Sequence, residues 1–364
     1  MRFSIFLNGR SLGPEQDRSF IDMTLAHVEQ AVAGGFSALF MPDHHFNGYM
    51  PVASDPMIFA AYLLGRWPDI HLGFSVTSVP LHNPVRFVER VNIMDQLTRG
   101  RLLVGIGSGT TPEEMIGFGV NYQDARKIAE SNLEVAEALW AKRMEDPPFD
   151  YDTGPFHGRV LQRITPAPYT SPRPRLMPVA LNEASTRRAA QNAWPAFIPG
   201  FTPPQIGGTD PFSHVKKHFT AYAAQLKAAG HAPEKEADAL SWTTHTYQCV
   251  HVAETDAQAR AELEEILTGY QDAVDRENAF NARAETDPAN RKTDRTPHAL
   301  SDDYIGTWCL YGSPATVIEK LAPYAELGIG NVLCGTTTGP LTQRRLELSN
   351  QTIGFLARDV LPHF

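Results

Sequence analysis

The feature that most constrains this chain is a regular alternation of short apolar runs with longer amphipathic ones. Residues 2–7 read as a strand, and residues 20–33 as a helix with Ile21, Leu25, Val28 and Val32 at helical spacing. The pattern repeats with strand-like runs at 38–41, 72–79 and 101–106 and helical runs at 55–65, 84–97 and 125–140. It resumes with strand-like runs at 177–181, 196–198, 243–252 and 331–333. Helical runs at 185–192, 212–229, 256–276, 314–327 and 342–360 lie between and after them. About eight strand–helix units result, and such alternation demands a parallel sheet because each return crossover is carried by a helix. Eight units suit a closed (β/α)₈ barrel, a TIM barrel, better than an open doubly wound sheet.

Two stretches interrupt the pattern. Residues 146–176 are rich in Pro, Gly, Asp and aromatics, which predicts an inserted hairpin or loop, and the five prolines of 165–178 argue against helix there. Residues 281–298 hold almost no large apolar side chain; this stretch, to about residue 303, reads as a solvated surface loop or a lid over the barrel mouth. All 364 residues are expected to form one barrel domain carrying both segments.

Composition narrows the function. A formal net charge of −9 argues against nucleic acid as the main partner. Cys249, Cys309 and Cys334 are odd in number and widely spaced, so neither a disulfide framework nor a zinc site is expected, and a reducing cytoplasm fits. The opening MRFSIFLNGR is too short in apolar residues for a signal peptide, and no run approaches a membrane span.

In a barrel, chemistry sits where strands end at their C-terminal face. After the second strand comes Asp43-His44-His45-Phe46. Adjacent residues of an extended segment point to opposite sides, so the two histidines are poor co-ligands of one metal; one imidazole suits acid–base work, or is simply a bonded core histidine. After the fourth strand, Gly105, Gly107 and Gly109 alternate, either for close approach of a ligand or for a tight turn, and without a dinucleotide fingerprint. Residues 182–188 (NEASTRR) read as a helix start that either binds phosphate or is an ordinary cap with surface arginines. Ser75, Thr77 and Ser78 on the third strand either leave room for a flat ligand or pack among neighbouring strands. Phe6, Phe46, Phe74, Trp194 and Phe201 either line an apolar pocket or belong to the core.

Taken in order, several segments resemble the bacterial luciferase-like flavin monooxygenases: Met41 to Phe46, Gly73 to Arg86, Asp95-Gln96-Leu97 with Gly100-Arg101, Gly105 to Gly109, Glu183 to Thr186, and Tyr311 to Pro314 with Gly328-Ile329. The resemblance implies a (β/α)₈ barrel, dimerised through barrel helices, with FMN in its mouth. It implies that His44 is the acid–base residue, that Ser75-Val76 forms a non-proline cis peptide beneath the ring, and that Gly107 and Ser108 line the flavin. It also implies that Glu183, Ser185 and Thr186 form the phosphate-binding helix start. The implied reaction takes reduced FMN from a separate NAD(P)H:flavin reductase, adds O₂ to give a C4a-hydroperoxyflavin, and oxygenates a small, apolar substrate. The same resemblance admits an F420-dependent oxidoreductase or a non-catalytic flavin-binding protein. The chain departs from the luciferase α subunit, having Gly107 where that subunit has a reactive cysteine and Ser108 where it has a phosphate-contacting arginine; Arg126 or Arg187 are the candidates to compensate.

Overall fold

Seven strands pair side by side, all parallel, in a computed structural model of the chain. They are β1 (Arg2–Phe6), β2 (Ala38–Met41), β3 (His71–Ser78), β4 (Leu102–Gly107), β5 (Arg175–Pro178), β6 (Thr244–Tyr247) and β7 (Asn331–Cys334). Their order in the sheet is β5-β4-β3-β2-β1-β7-β6. The structure describes residues 1–46, 50–200, 210–284, 286–291 and 297–364, without the side chains of residues 280, 281 and 284.

Phe197 joins the two outer strands. It bridges Val179 on one side and Thr244 on the other, both in parallel sense. Its N–H donates to the Pro178 carbonyl at 3.0 Å, and its carbonyl accepts from Ala180 N–H at 2.9 Å. Across the other seam, Thr244 N–H donates to Ala196 O and Ile198 N–H to Thr244 O, each at 2.8 Å. The sheet thus closes into the expected (β/α)₈ ring, with the position assigned to residues 196–198 held by one bridging residue.

Alternation along each strand sorts side chains to two faces. Phe6, Phe40, Leu103, Met177, Phe197 and Leu333 pack together inside the ring. Ile5, Leu39, Leu72, Val104 and Leu176 point outward into the main core, against the helices. Two glycines fit the interior rings: a Cβ on Gly73 would lie 2.3 Å from the Phe40 ring, and one on Gly105 would lie 2.0 Å from the Phe74 carbonyl oxygen. Phe40 and Phe197 meet edge to face at 5.8 Å in the space so left.

Helices α1 (Asp17–Ala33), α2 (Pro56–Arg66), α3 (Pro84–Thr98), the short α4 (Pro112–Gly117), α5 (Ala125–Ala141) and α6 (Glu183–Gln191) follow the first five strands. Then come α7 (Pro211–Ala228), α8 (Pro233–Trp242), α9 (Asp256–Ala284), α10 (Asp302–Trp308), α11 (Pro314–Leu327) and α12 (Gln343–Phe355). Asp55 and Asn83 cap α2 and α3, accepting from Ile58 N–H at 3.1 Å and Val85 N–H at 3.0 Å, each just before a proline at the first helical position. The insertion contains the hairpin Phe149–Asp152 with His157–Val160.

Three expectations need correction. Residues 243–252 are two strands: β6 pairs with β7, whereas Cys249–Val252 pairs with Cys309–Gly312. The break falls at Gln248, whose carbonyl is taken by the Asn8 amide and the Thr338 hydroxyl. The buried stripe of α1 is Phe20, Thr24, His27, Val28 and Ala31, so Ile21, Leu25 and Val32 are only half buried. His27 turns inward because Thr336 and Ser349 hydroxyls meet its ring nitrogens at 2.9 and 3.3 Å. Finally, α9 extends the helix expected at 256–276 into the first residues of the polar stretch.

Replacing Gly105 with Ala sets a methyl against backbone, so it should destabilise the fold by about 1–3 kcal/mol. Gly65→Ala on α2, where nothing lies within 4 Å of the added methyl, should stabilise by about 0.5–1 kcal/mol. Urea unfolding midpoints of the two variants should move in opposite directions; an unchanged midpoint for Gly105→Ala would refute the close approach.

Candidate active site

Neighbouring strands deliver the candidate residues to one end of the ring. The register sets Met41 beside Phe74, Ser78 beside Gly107 and Ile106 beside Pro178, so the segments after β2, β3, β4 and β5 emerge side by side.

Two buried carboxylates organise these segments. Glu114, on α4, is 1% exposed, and its Oε1 accepts from both His44 Nδ1 and the His45 backbone N–H at 2.9 Å. Its Oε2 is buried with no partner among the described residues. Asp43 is 2% exposed, and its oxygens accept from His45 Nε2 at 3.1 Å, His82 Nε2 at 2.8 Å and Ser78 N–H at 2.9 Å. Burial alone would raise the Asp43 pKa; donation from His45 and His82 and their charge reverse this and hold it well below the usual carboxylate range. Burial alone would lower the His44 pKa, but the hydrogen bond and charge of Glu114 outweigh it and raise it above the ordinary imidazole value. Glu277 adds to that rise and Arg10 opposes it, the two being paired with each other at 2.9 Å. With Nδ1 committed to Glu114, Nε2 is the nitrogen left to exchange a proton, and the side chain is 33% exposed.

The other expected site residues fall as follows. The Ser75-Val76 peptide bond is cis, at the position implied by the resemblance. Both residues are half buried, and Val76 packs with the interior cluster. Gly107 ends β4 against Val76, whose Cγ2 would lie 2.6 Å from a Cβ at Gly107. Ser108 follows, half buried. On α6, Asn182 caps the helix, taking Ser185 N–H at 2.9 Å on its side chain and Thr186 N–H at 3.0 Å on its carbonyl. Thr186 is 3% exposed, Ser185 is half buried, and Glu183 is exposed and paired with Arg187 at 3.3 Å. Arg187 is thus beside the helix start but engaged, and Arg126 is exposed on α5, paired with Glu130 at 3.3 Å.

Of the residues singled out for a ligand pocket, Phe6 lies inside the ring, whereas Phe74 and Trp194 belong to the main core between ring and helices and Phe46 is 65% exposed beside Phe118. Phe201 lies outside the described residues. Thr77 faces outward from the ring, whereas Ser78, on the same strand face as Val76 and opposite Gly107, keeps the inward sense and gives its N–H to Asp43. Part of the stretch read as a loop or lid, residues 285 and 292–296, also lies outside the described residues. Its described middle docks beside the β4 segment: Asn290 accepts from Tyr122 N–H at 3.0 Å, and the Arg291 carbonyl from the Gln123 side chain at 2.7 Å.

Glu114 and His82 went unnoticed in the sequence. Glu114 meets His44 across 70 positions, and His82 meets Asp43 across 39, so no local spacing marks either. Among the described residues, no group of three or more His, Cys, Asp or Glu side chains could hold a metal ion, and no helix is long and apolar enough to cross a membrane.

Comparison with known proteins agrees with this architecture. The profile of the luciferase-like monooxygenases matches residues 1–331. The chain is 26% identical over 334 residues to a 4-hydroxyprotoasukamycin monooxygenase of Streptomyces nodosus, covering 91% of this chain and 83% of that protein. A Sinorhizobium fredii protein is 33% identical over 138 residues, a match that covers 37% of this chain and only 38% of that protein. The monooxygenase RslO1 of Streptomyces bottropensis superposes with a TM-score of 0.76 at 22% identity, covering 100% of this chain and 99% of that one. The oxygenating constituent of 3,6-diketocamphane monooxygenase of Pseudomonas putida, solved with FMN, superposes with a TM-score of 0.70 at 17% identity, covering 100% and 98%. With the family profile spanning residues 1–331, the chain belongs to the luciferase-like monooxygenase family.

Proposed function

We propose that this protein is a two-component monooxygenase that takes reduced FMN from a separate NAD(P)H:flavin reductase and uses O₂ to oxygenate a small, apolar organic substrate. The observation that carries the reading is the His44–Glu114 pair at 2.9 Å, set at the barrel mouth one strand away from Ser75-Val76. Absence of a clear nucleotide fingerprint for NAD(P)H supports external delivery of the reductant.

The site fits a flat ring system. Gly107 leaves the surface beside Val76 open where any Cβ would fill it, so Ser75, Val76, Gly107 and Ser108 are the residues that would face the ring. The first turn of α6 would take the phosphate, through the N–H groups of Glu183 and Ala184 that Asn182 leaves unclaimed, with Ser185 and Thr186 on the same turn. When bound, reduced flavin supplies the electron pair that activates O₂. The chain's own part is positional and protonic. Glu114 fixes the imidazole orientation of His44 and favours its protonated form, so that Nε2 delivers a proton to an oxygen atom at the mouth and recovers it later. The apolar interior formed by Phe6, Phe40 and Leu333 keeps water from the ring side of the site.

We also assign a homodimer to the face shared by α2 and α3. Ile58 and Tyr62 on α2 and Ile93 and Leu97 on α3 are 49–69% exposed, an unusual density of large apolar side chains for free surface.

His44→Ala should lower turnover by about 10²–10⁴-fold while retaining the fold; wild-type turnover in a purified variant would remove His44 from the mechanism. Glu114→Gln removes the charge that raises the His44 pKa, so the limb of the pH–rate profile assigned to His44 should move to lower pH; a limb that stays in place, or moves up, contradicts the pairing. Anaerobic titration with reduced FMN, followed by oxygen uptake measured with candidate substrates, tests the whole reading. Tight binding with substrate-dependent uptake supports it, whereas failure to bind reduced FMN removes it and directs the search to F420, whose hydride chemistry consumes no O₂. Light scattering should give twice the monomer mass for the native chain and the monomer mass for Ile58→Asp with Leu97→Asp; a monomeric native chain would exclude the dimer.

A further inference from the structure

Two strands outside the ring set a pair of cysteines side by side. Cys249–Val252 and Cys309–Gly312 run parallel, and their register makes Cys249 and Cys309 direct partners. Partnered residues of neighbouring strands turn their side chains to the same face. Strands lie about 4.7–4.9 Å apart, inside the Cα separation of about 4.4–6.8 Å that a disulfide spans. Both cysteines are free thiols in one buried cluster with Leu263, Tyr270 and Tyr304. The third cysteine, Cys334, is on β7 in the main core.

A buried thiol is ordinarily inert. A cation sets this pair apart. Arg345, on α12, is 5% exposed, and its Nε donates to the Thr338 carbonyl at 3.1 Å. Its two terminal nitrogens are buried with no hydrogen-bond partner among the described residues. A buried charge needs a counter-charge nearby. The foremost anionic group acting on Arg345 is the Cys249 sulfur, ahead of Glu265, which Arg344 holds at 3.5 Å. Donation from the Cys309 thiol, helped by the Arg345 charge and the Thr338 hydroxyl, outweighs burial and holds the Cys249 pKa below the ordinary thiol value. Cys309 is pushed well above that value by its bond to Cys249, by burial and by the Cys249 charge. Cys334 has burial alone, which pushes its thiol up to about 12.

We propose that Cys249 and Cys309 form a redox-active dithiol that hydrogen peroxide converts to an intrachain disulfide, with Arg345 as the positioning residue that holds the Cys249 thiolate. The thiolate sulfur attacks one peroxide oxygen and the O–O bond breaks. The departing hydroxide takes up a proton as water, and Cys249 becomes a sulfenic acid. That step removes the charge that kept Cys309 protonated, while Arg260 and Lys320 favour its thiolate. The Cys309 sulfur then attacks the Cys249 sulfur, the S–O bond breaks, and a second water leaves. The two sulfurs give up two electrons, and one peroxide becomes two waters. Among the described residues these two strands pair only with each other. A two-stranded sheet opens locally at low cost, which admits a molecule little larger than water.

The test exposes the reduced full chain, without flavin, to millimolar hydrogen peroxide, followed by denaturation, alkylation with N-ethylmaleimide and peptide mass spectrometry. Cys249 and Cys309 should be found linked, two hydrogens lighter and restored by dithiothreitol, with Cys334 still alkylated. In Cys309→Ser the second step is blocked, so dimedone should capture a sulfenic acid on Cys249; in Cys249→Ser, Cys309 should stay unlabelled. Arg345→Met keeps the apolar stem without the charge. Its oxidation should slow by about tenfold or more at neutral pH, with the pH dependence of the rate moved upward, a shift that lost packing alone would not cause. Circular dichroism checks that this variant is folded, and the wild-type and Cys309→Ser measurements decide the dithiol without it. The proposal is overturned if both thiols persist, if Cys334 is oxidised as fast as the pair, or if dimedone leaves Cys249 unlabelled in Cys309→Ser. An unchanged rate and pH dependence in Arg345→Met overturns the part given to Arg345. Because the readout needs neither flavin nor turnover, its failure and failure of the proposed oxygenation are told apart.

Discussion

The ring of parallel strands depends on one seam. A parallel sheet left open exposes unpaired backbone groups along both edges, and a barrel removes them only if the last gap is bridged. Here the bridge is a single residue. Phe197 donates to Pro178 and accepts from Ala180, and its neighbours Ala196 and Ile198 complete the pairing to Thr244. Its side chain points into the ring, where Gly105 leaves the room that its aromatic edge requires. Backbone closure and interior packing therefore act at the same residue, and everything carried on the strand ends inherits its position from that closure.

Above the seam, side chains take over from backbone. The segments after β2, β3 and β4 do not pair as strands; two buried carboxylates draw them together. Asp43 collects donors from its own segment and from the one after β3, and Glu114 reaches back from the segment after β4 to His44 and His45. Buried carboxylates are tolerable only when well bonded. Asp43 meets that condition with three donors. Glu114 keeps one oxygen open, so its charge falls more heavily on His44. The contrast between the two explains why one carboxylate acts as scaffold while the other conditions an imidazole.

Much of the architecture was legible in the sequence because periodicity is local. Apolar runs separated by amphipathic ones announce strands and helices without knowledge of their partners, and prolines after Asp55 and Asn83 mark helix starts. What escaped was non-local or too short to carry a period. The helix α4, six residues long, is too short to show a period. The orientation of β3 failed for a definite reason. Simple alternation from Gly73 would turn Ser75 and Thr77 inward, but the register shifts between Phe74 and Thr77, which turns Val76 inward and Thr77 out. A shift of one residue exchanges the two faces of a strand, and no composition rule anticipates it. Of the candidate site, the cis Ser75-Val76 bond stands where the resemblance implies it and His44 was named from the same resemblance, whereas Glu114 and His82 required the fold to bring distant segments together.

The filled interior has a kinetic consequence. Phe6, Phe40, Leu103, Met177, Phe197 and Leu333 fill the ring below its mouth. A chamber filled at its base imposes a queue on whatever enters from the mouth. Of two molecules that must occupy it together, the deeper has to enter before the shallower and depart after it. For the proposed reaction, order of addition would then be a property of the architecture, set by a handful of aromatic and aliphatic side chains below the mouth.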